Sequence, residues 1–540
     1  MRDRSPRIIS HLNKLMHEHG WLRPDDLRLL AENLGEPLHR IEGLASFYPH
    51  YRRTPPPART IEICRDLSCD MQGCAQLRTR ANELAQAHQA ATGERVEVVE
   101  TSCLGRCERA PAALVDHHPV MGELGIRSAL ADNKSQETDN IPAHTYRCDP
   151  YTTSESRYAT VRGLAARPHE DASTYVLTEL KAAGLRGMGG AGFPTATKWG
   201  FVRKAKAPRK YVICNADESE PGTFKDREIL ATLPHLVWEG MLIAAHVVGA
   251  THCIVYIRHE YAIECEALAA EQARAEKVAE ALGVTLEIFV SPGGYIMGEE
   301  TALLEALEDR RGEPRNKPPY PGIEGLDGMP TVINNVETLA MATAICARGS
   351  AWWQKQGVHG CAGLKFMSVS GDVAMPGVYE VPMGTRVSKL IRLAGGMAGG
   401  GKLVAFLPGG ASASFLPGDR ADTPLDFDHM RQAGSTLGSG GFVAVGEGRD
   451  LLALGISLTR FFRNESCGKC VPCRVGSEKA VTLLEDMHQA GTNHHLPLLQ
   501  DLESTMAQTS ICGLGQVVLT PVLSLLKHFP ELAPSPTKAD

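Results

Sequence analysis

The spacing of cysteines is the most chemically specific feature of this 540-residue sequence. Cys467-Gly-Lys-Cys470-Val-Pro-Cys473 sets three thiols within seven residues, and Cys512, in Ser510-Ile-Cys512-Gly-Leu-Gly, is the one cysteine beyond them. Three close thiolates plus a remote fourth can wrap a 4Fe–4S cube, whereas structural zinc usually draws four ligands from two separated pairs. A second set joins Cys64-x4-Cys69 to Cys103-x3-Cys107. Neither pair has the C-x2-C spacing of zinc ribbons, so a 2Fe–2S centre is expected, with zinc as the alternative. Cys74 is either a bystander or an alternative ligand. Of the other scattered cysteines, Cys214, Cys253 and Cys346 lie in apolar segments and read as packing residues.

Polar residues cluster in four further places. Gly187-Met-Gly189-Gly190-Ala-Gly192 has the G-x-G-x-x-G pattern but follows a predicted helix, so it is not the usual dinucleotide fingerprint. Its use would be backbone N–H groups near an anion, with Lys198 adding charge. The strand Lys210–Cys214 runs into Asn215-Ala-Asp217-Glu218-Ser-Glu220, where open α/β sheets bind ligands. Carboxylates repel phosphate, so these suit ribityl, ribose or carboxamide groups; a solvated acidic turn is the plain alternative. A second strand end, through Tyr295 to Gly298-Glu299-Glu300, repeats the theme, and Asn334-Asn335 offers paired amides. No nucleophile–base motif is present: there is no G-x-S-x-G and no H-E-x-x-H. Redox chemistry on a bound cofactor is therefore expected.

These residues need several elements to hold them. The length exceeds one ordinary core, and 43% hydrophobic with 22% charged residues is globular composition. A net charge of −7 marks no nucleic-acid or anionic-membrane binder. The first residues do not read as a secretory signal, and Gly240 to Ile257 reads as a buried helix, turn and strand rather than a membrane span, so a cytoplasmic protein is expected. Residues 1–55 read as helices, followed by strand 60–64, helix 75–91 and strand 96–99, a small α/β unit. A polar linker is expected at 131–143. From 170 helices alternate with short apolar strands at 210–214, 253–257 and 286–290, as in a buried parallel sheet. A hairpin over 364–381 and a helix at 387–393 suggest a β-grasp-like module. The last hundred residues read as helices around the cysteine run, with a disordered tail.

Together, Gly184-Leu-Arg-Gly-Met-Gly-Gly-Ala-Gly-Phe-Pro-Thr195, Ile213-Cys-Asn-Ala-Asp-Glu-Ser-Glu-Pro-Gly-Thr-Phe-Lys-Asp-Arg227, Gly298-Glu-Glu-Thr301, Asn334-Asn-Val-Glu-Thr338 and Glu465-Ser-Cys-Gly-Lys-Cys-Val-Pro-Cys-Arg474 resemble the flavin subunit of the complex I NADH dehydrogenase module. The likeness covers about 170–530. Residues 1–120 resemble that module's 2Fe–2S thioredoxin-like subunit, so the chain looks like a fusion of the two. Such fusions are similar to diaphorase subunits of NAD-dependent molybdenum or tungsten formate dehydrogenases and NAD-reducing hydrogenases.

The resemblance implies a multidomain α/β protein: helices plus a thioredoxin-like 2Fe–2S domain (1–130), a linker (131–169), a Rossmann-like FMN/NAD domain (170–350), a β-grasp module (351–435), a C-terminal helical bundle holding 4Fe–4S (436–530) and a tail (531–540). It implies FMN at Gly187, Gly189, Gly190, Lys198, Asn215, Asp217, Glu218, Tyr295, Gly298, Glu299, Asn334, Asn335 and Thr338. NAD would meet Phe193, Glu220, Glu300, Lys317 and Tyr320. The clusters would use Cys467, Cys470, Cys473 and Cys512, and Cys64, Cys69, Cys103 and Cys107. The chain departs from the family pattern at Met188, Met297 and Tyr320. No general base is implied, since hydride transfer is cofactor chemistry. The implied partner is a catalytic subunit carrying a molybdenum or tungsten site, or nickel–iron, with further iron–sulfur clusters; neither nucleic acid nor membrane insertion is expected. A formate dehydrogenase beta subunit is the leading expectation, then a hydrogenase diaphorase, then complex I; a zinc-binding or cofactor-poor scaffold is the non-enzyme alternative.

Overall fold

A computed structural model describes residues 7–131, 145–532 and 534. The expected linker at 131–143 lies outside these residues except for Ala131, as does most of the expected tail.

Three sheets carry the fold. The first comprises β1 (Arg59–Cys64), β2 (Val96–Thr101), β3 (Ala112–Val115) and β4 (His118–Met121), ordered β2-β1-β3-β4. β1 and β2 run parallel through the crossover helix Cys74–Thr92, with Cys64 opposite Thr101. That register brings the loops after both strands, and hence both cysteine pairs, to one edge. The unit has its own core around Ile61, Ile63, Leu77, Ala81, Leu114 and Ile126.

The second sheet is parallel throughout: β5 (Tyr211–Ala216), β6 (His252–Arg258), β7 (Thr285–Ser291) and β8 (Thr331–Asn335), ordered β7-β6-β5-β8. The chain leaves β5 for β6 on one side and returns as β8 on the other, so a crevice opens past the carboxyl ends of β5 and β8. Asn215 and Asn335 stand opposite each other there. A parallel sheet must be covered on both faces. Helices Pro234–Val248 and Val336–Arg348 cover one. The other meets α1 (Ile8–His19), α2 (Pro24–Leu34) and α3 (Leu38–Phe47), whose Ile9, Leu12, Leu44 and Tyr48 share a core with Ile213, Ile254 and Phe289. Ion pairing of Arg7 with Glu287 and a 2.6 Å hydrogen bond from the Tyr48 hydroxyl to the Arg310 carbonyl fix this contact. The stretch expected as one unit, 1–130, is thus divided between two cores.

The third sheet is β9 (Leu364–Gly371), β10 (Gly377–Pro382), β11 (Leu403–Leu407), β12 (Leu416–Pro417) and β13 (Gly441–Gly446), ordered β10-β9-β13-β11-β12. The expected hairpin is β9–β10. β13 inserts parallel to β9, so the sheet runs past the expected boundary at 435. Residues 145–165 are packed rather than linker-like, because Tyr146, Cys148, Tyr158, Val161 and Leu164 belong to the central core. Helices Leu451–Asn464, Val471–Ala490, Leu496–Thr509, Gly513–Val517 and Thr520–His528 complete the chain. Gly240 to Ile257 is the end of a buried helix, a turn and β6. No single helix among the described residues is long and apolar enough to cross a membrane.

Candidate functional site

The four cysteines at the first sheet's edge meet. Cys103 and Cys107 Sγ are 3.6 Å apart, and Cys64 contacts both Cys103 and Cys69. Backbone N–H groups of Gly105, Ala112 and Gly222 donate to the sulfurs of Cys103, Cys69 and Cys107 at 3.4, 3.3 and 3.4 Å. Hydrogen bonds from Cys107 and Cys64 hold the Cys103 thiol well below the ordinary range, while those to Cys103 and Cys69 push Cys64 up. Buried thiols that share charge and accept N–H donors suit a metal–sulfur group. Cys74 opens the crossover helix, and burial pushes its thiol up to about 12.

In the C-terminal helices, Cys470 is the N-cap of Val471–Ala490, Cys473 lies in its first turn and Cys512 is the N-cap of Gly513–Val517. Gly515 lets the two loops close, since a Cβ there would stand 2.9 Å from Cys473 Cβ. Burial pushes Cys473 up to about 11 and Cys512 up to about 12, which bound metal would reverse. A single tetrahedral zinc needs thiolates about 3.8 Å apart. Among the described residues, the groups with three donor atoms mutually within 4.8 Å lie elsewhere, although Cys103 and Cys107 are themselves 3.6 Å apart.

The crevice at β5 and β8 adjoins the loops of both sets. The glycine loop is pinned by Met188 N–H donating to Thr338 Oγ1 at 2.9 Å and Gly187 N–H to the Phe193 carbonyl at 2.9 Å. A Cβ on Gly189 would come within 2.9 Å of Asn335 Cβ, and Gly190 has φ +127°, so both positions require glycine. Lys198 Nζ donates to the Ile333 carbonyl at 2.9 Å, and burial lowers its pKa. Asn215 Nδ2 donates to the Gly298 carbonyl at 2.8 Å. Asp217 accepts from Ser219 Oγ at 2.6 Å through one oxygen, while its Oδ2 is buried without a partner. Burial pushes this carboxyl up to about 6. A buried orphan acceptor at a strand's carboxyl end fits a ligand hydroxyl, as on a ribityl chain. Phe193 and Tyr320 are 45% and 57% exposed, and Lys317 pairs with Glu300 at 2.8 Å.

Several expected contacts are turned inward. Glu218 accepts from the N–H groups of Asp226 and Arg227 at 2.9 and 3.1 Å and from the Tyr261 hydroxyl at 3.0 Å. Glu299 caps the helix Glu300–Leu307 and takes Lys317 Nζ at 2.9 Å. Asn334 accepts from Trp199 Nε1 at 2.8 Å, Asn335 caps Val336–Arg348, and Thr338 holds the glycine loop. These side chains shape the crevice through the loops they fix. Glu220 departs furthest from expectation. Its carboxylate takes Ser412 N–H at 2.9 Å, Ser412 Oγ at 2.6 Å and Ser439 Oγ at 3.0 Å, because it lies between the second and third sheets. These bonds link the two sheets at a residue that stays partly exposed.

Three residues without an expected role join the sites. Arg258, ending β6, donates to the Cys103 carbonyl at 2.7 Å and also to the Glu218 carbonyl. Arg227 donates to the Gly105 carbonyl at 3.0 Å and pairs with Glu108. Glu465, two residues before Cys467, accepts from Tyr295 N–H at 2.8 Å and from Ser102 Oγ, next to Cys103. The N-terminal cysteine loop is thus seated on the crevice loops. Arginine at the carboxyl end of a central strand was the available sequence signal for Arg258.

Family models match in four places: a "Nuo51 FMN-binding domain" at 180–344, an "NADH-ubiquinone oxidoreductase-F iron-sulfur binding region" at 456–534, a thioredoxin-like 2Fe–2S ferredoxin at 1–129 and an "SLBB domain" at 366–416. Flavin, 4Fe–4S and 2Fe–2S binding domains therefore occur in one chain. An NADH-quinone oxidoreductase F subunit of Rhizobium meliloti (strain 1021), the one numbered 2, is 42% identical over 362 residues, 65% of this chain and 86% of that protein. The NADH-quinone oxidoreductase F subunit of Streptomyces coelicolor is 38% identical over 72% of this chain and 87% of its own. A crystal structure of an NAD+-reducing NiFe hydrogenase in the H2-reduced state superposes with TM-score 0.86 and 34% identity, over 99% of this chain and 95% of that one.

Proposed function

Because this chain belongs to the family of NADH-quinone oxidoreductase F subunits, we propose that it is the diaphorase component of a larger NAD-linked oxidoreductase, moving electrons between NAD(H), FMN and two iron–sulfur clusters. The observation that carries this reading is the seating of the Cys103–Cys107 loop, through Arg258 and Arg227, on the same loops that form the crevice.

In this reading Asn215, Asp217, Lys198 and the glycine loop hold FMN, with Asp217 Oδ2 taking a ribityl hydroxyl. Tyr295, Gly298, Glu299, Glu218, Asn334, Asn335 and Thr338 set the shape of its seat. Phe193 and Tyr320 receive the nucleotide's rings, and the Glu300–Lys317 pair faces its polar groups. FMN held by these residues would supply the conversion between a hydride's two electrons and the single electrons that iron–sulfur centres take. Cys64, Cys69, Cys103 and Cys107 hold 2Fe–2S, and Cys467, Cys470, Cys473 and Cys512 hold 4Fe–4S. The four units take the ranges given from sequence, with α1–α3 and 145–169 packed on the flavin unit and β13 joined to the third sheet.

The partner subunit supplies the second half-reaction. Formate oxidation at a molybdenum or tungsten site is the finer reading that the fused motif set resembles. Hydrogen oxidation is the second, supported by the match along nearly the whole chain to the NAD+-reducing hydrogenase. The purified chain should oxidise NADH with ferricyanide as acceptor but should reduce NAD+ with neither formate nor hydrogen. The complex co-purified with it should do so with one of the two. Formate- or hydrogen-dependent NAD+ reduction by the chain alone would overturn the reading.

A further inference from the structure

We propose that Cys361, Asp426 and His429 form a binding site for one zinc-class divalent ion, separate from both iron–sulfur sites. Their Sγ, carboxylate oxygen and ring nitrogen lie mutually within 4.8 Å. Zinc bonds of about 2.0–2.3 Å bring such donors slightly closer than that, which small side-chain rotations achieve. A thiolate, an imidazole and a carboxylate together select a borderline ion such as zinc rather than magnesium or calcium, which take oxygen ligands.

The donors are held in advance. Asp426 is buried, and its Oδ1 accepts the N–H groups of Asp428 and His429 at 2.8 and 3.0 Å, leaving Oδ2 turned to the imidazole. Such outer hydrogen bonds orient a carboxylate ligand. Cys361 is lodged against Gly384, where φ is +86° and a Cβ would meet the sulfur at 2.9 Å. Backbone bonds tie that turn to the segment leading into Asp426: Gly384 N–H to the Leu425 carbonyl at 3.0 Å, and Leu425 N–H to the Thr385 carbonyl at 2.8 Å. Cys361 N–H donates to the Val358 carbonyl at 3.0 Å, closing its own loop. The half-exposed His429 leaves an open side for a water as fourth ligand. Burial and the Asp426 charge push the Cys361 thiol up to about 12, an arrangement that a cation would relieve. The other such group, Asp486 with His494 and His495, has its carboxylate exposed and lacks this support.

The ion would act on the crevice. The helix Phe427–Gln432 presents the Phe427 ring 3.2 Å from where a Cβ on Gly192 would stand, and Arg186 lies 4.4 Å over that ring. Arg186 also reaches Asp428 at 3.4 Å. Fixing Cys361 to this helix therefore braces the glycine loop from outside.

The test uses the full chain with its clusters intact, stripped with a chelator and re-equilibrated with Zn2+. Wild type and a Cys265→Ser control should each retain about one zinc, with a zinc-edge X-ray absorption shell of one sulfur and the rest nitrogen or oxygen. Cys361→Ser and His429→Gln should each weaken zinc binding at least roughly tenfold, with iron content unchanged. Equal zinc in all four proteins, no retained zinc in wild type, or a shell of several sulfurs would overturn the proposal. In that event the trio is a helix cap with a neighbouring thiol.

Discussion

Asp217 is the residue whose chemistry is most exposed to test. Its ordinary pKa is near 3.9 and burial raises it to about 6, so folding without flavin favours the protonated form relative to the unfolded chain. The stability this gives is full below about pH 4 and is lost as pH rises through about 6. Asp217→Asn should therefore raise the melting temperature of flavin-free protein at pH 8 and leave it nearly unchanged at pH 4; the reverse pattern would contradict the burial argument. The same substitution should weaken FMN binding roughly tenfold or more, since a charged acceptor for a ligand hydroxyl is lost. Flavin fluorescence on dilution measures this. The position was legible in the sequence, because an acidic cluster at a strand's carboxyl end has few uses. Its unpaired oxygen was not legible, since that depends on Ser219 claiming the other one.

At the scale of elements, the second and third sheets are joined through Glu220, and the first is joined to the second through Arg258. Glu220→Ala leaves the Ser412 N–H and Oγ without their acceptor, while Ser439 Oγ keeps the Gly409 carbonyl at 3.3 Å; the change costs about 1–3 kcal/mol and should lower the melting temperature of the whole chain. Glu220→Gln, which can still accept, should lose less. A large rise in the NADH KM with stability unchanged would return Glu220 to the nucleotide site. Arg258→Lys keeps the charge but not a guanidinium fork spanning two carbonyls. It should shift the EPR signal of the N-terminal cluster while leaving FMN content and the C-terminal cluster's signal as they are. An unchanged N-terminal signal would show that the Cys103 carbonyl contact does not position that loop. The strands at 211–216, 252–258 and 285–291 were visible as short apolar runs. The partners of Glu220 were not, because Ser412 and Ser439 lie some two hundred residues on and carry no motif.

At the scale of the molecule, the sequence exposes the parts more readily than their assembly. The helical stripes of α1 and α2 say that Ile9, Leu12 and Leu27 are buried, but not that they cover the β5–β7 face rather than the β1–β4 unit that follows them in the chain. The bare far face of a parallel sheet decides that, and it exists only once the sheet is formed. The result is two cysteine sets brought to the loops of one crevice, with Glu465 touching both neighbourhoods. The most direct test of this account is an anaerobic NADH titration of the purified chain, followed by visible absorption and EPR and paired with an iron assay. The account predicts about six iron atoms and one FMN per chain, bleaching of the flavin band, and two distinct iron–sulfur signals on reduction. A colourless zinc protein, or one whose iron–sulfur centres stay oxidised under excess NADH, would contradict it.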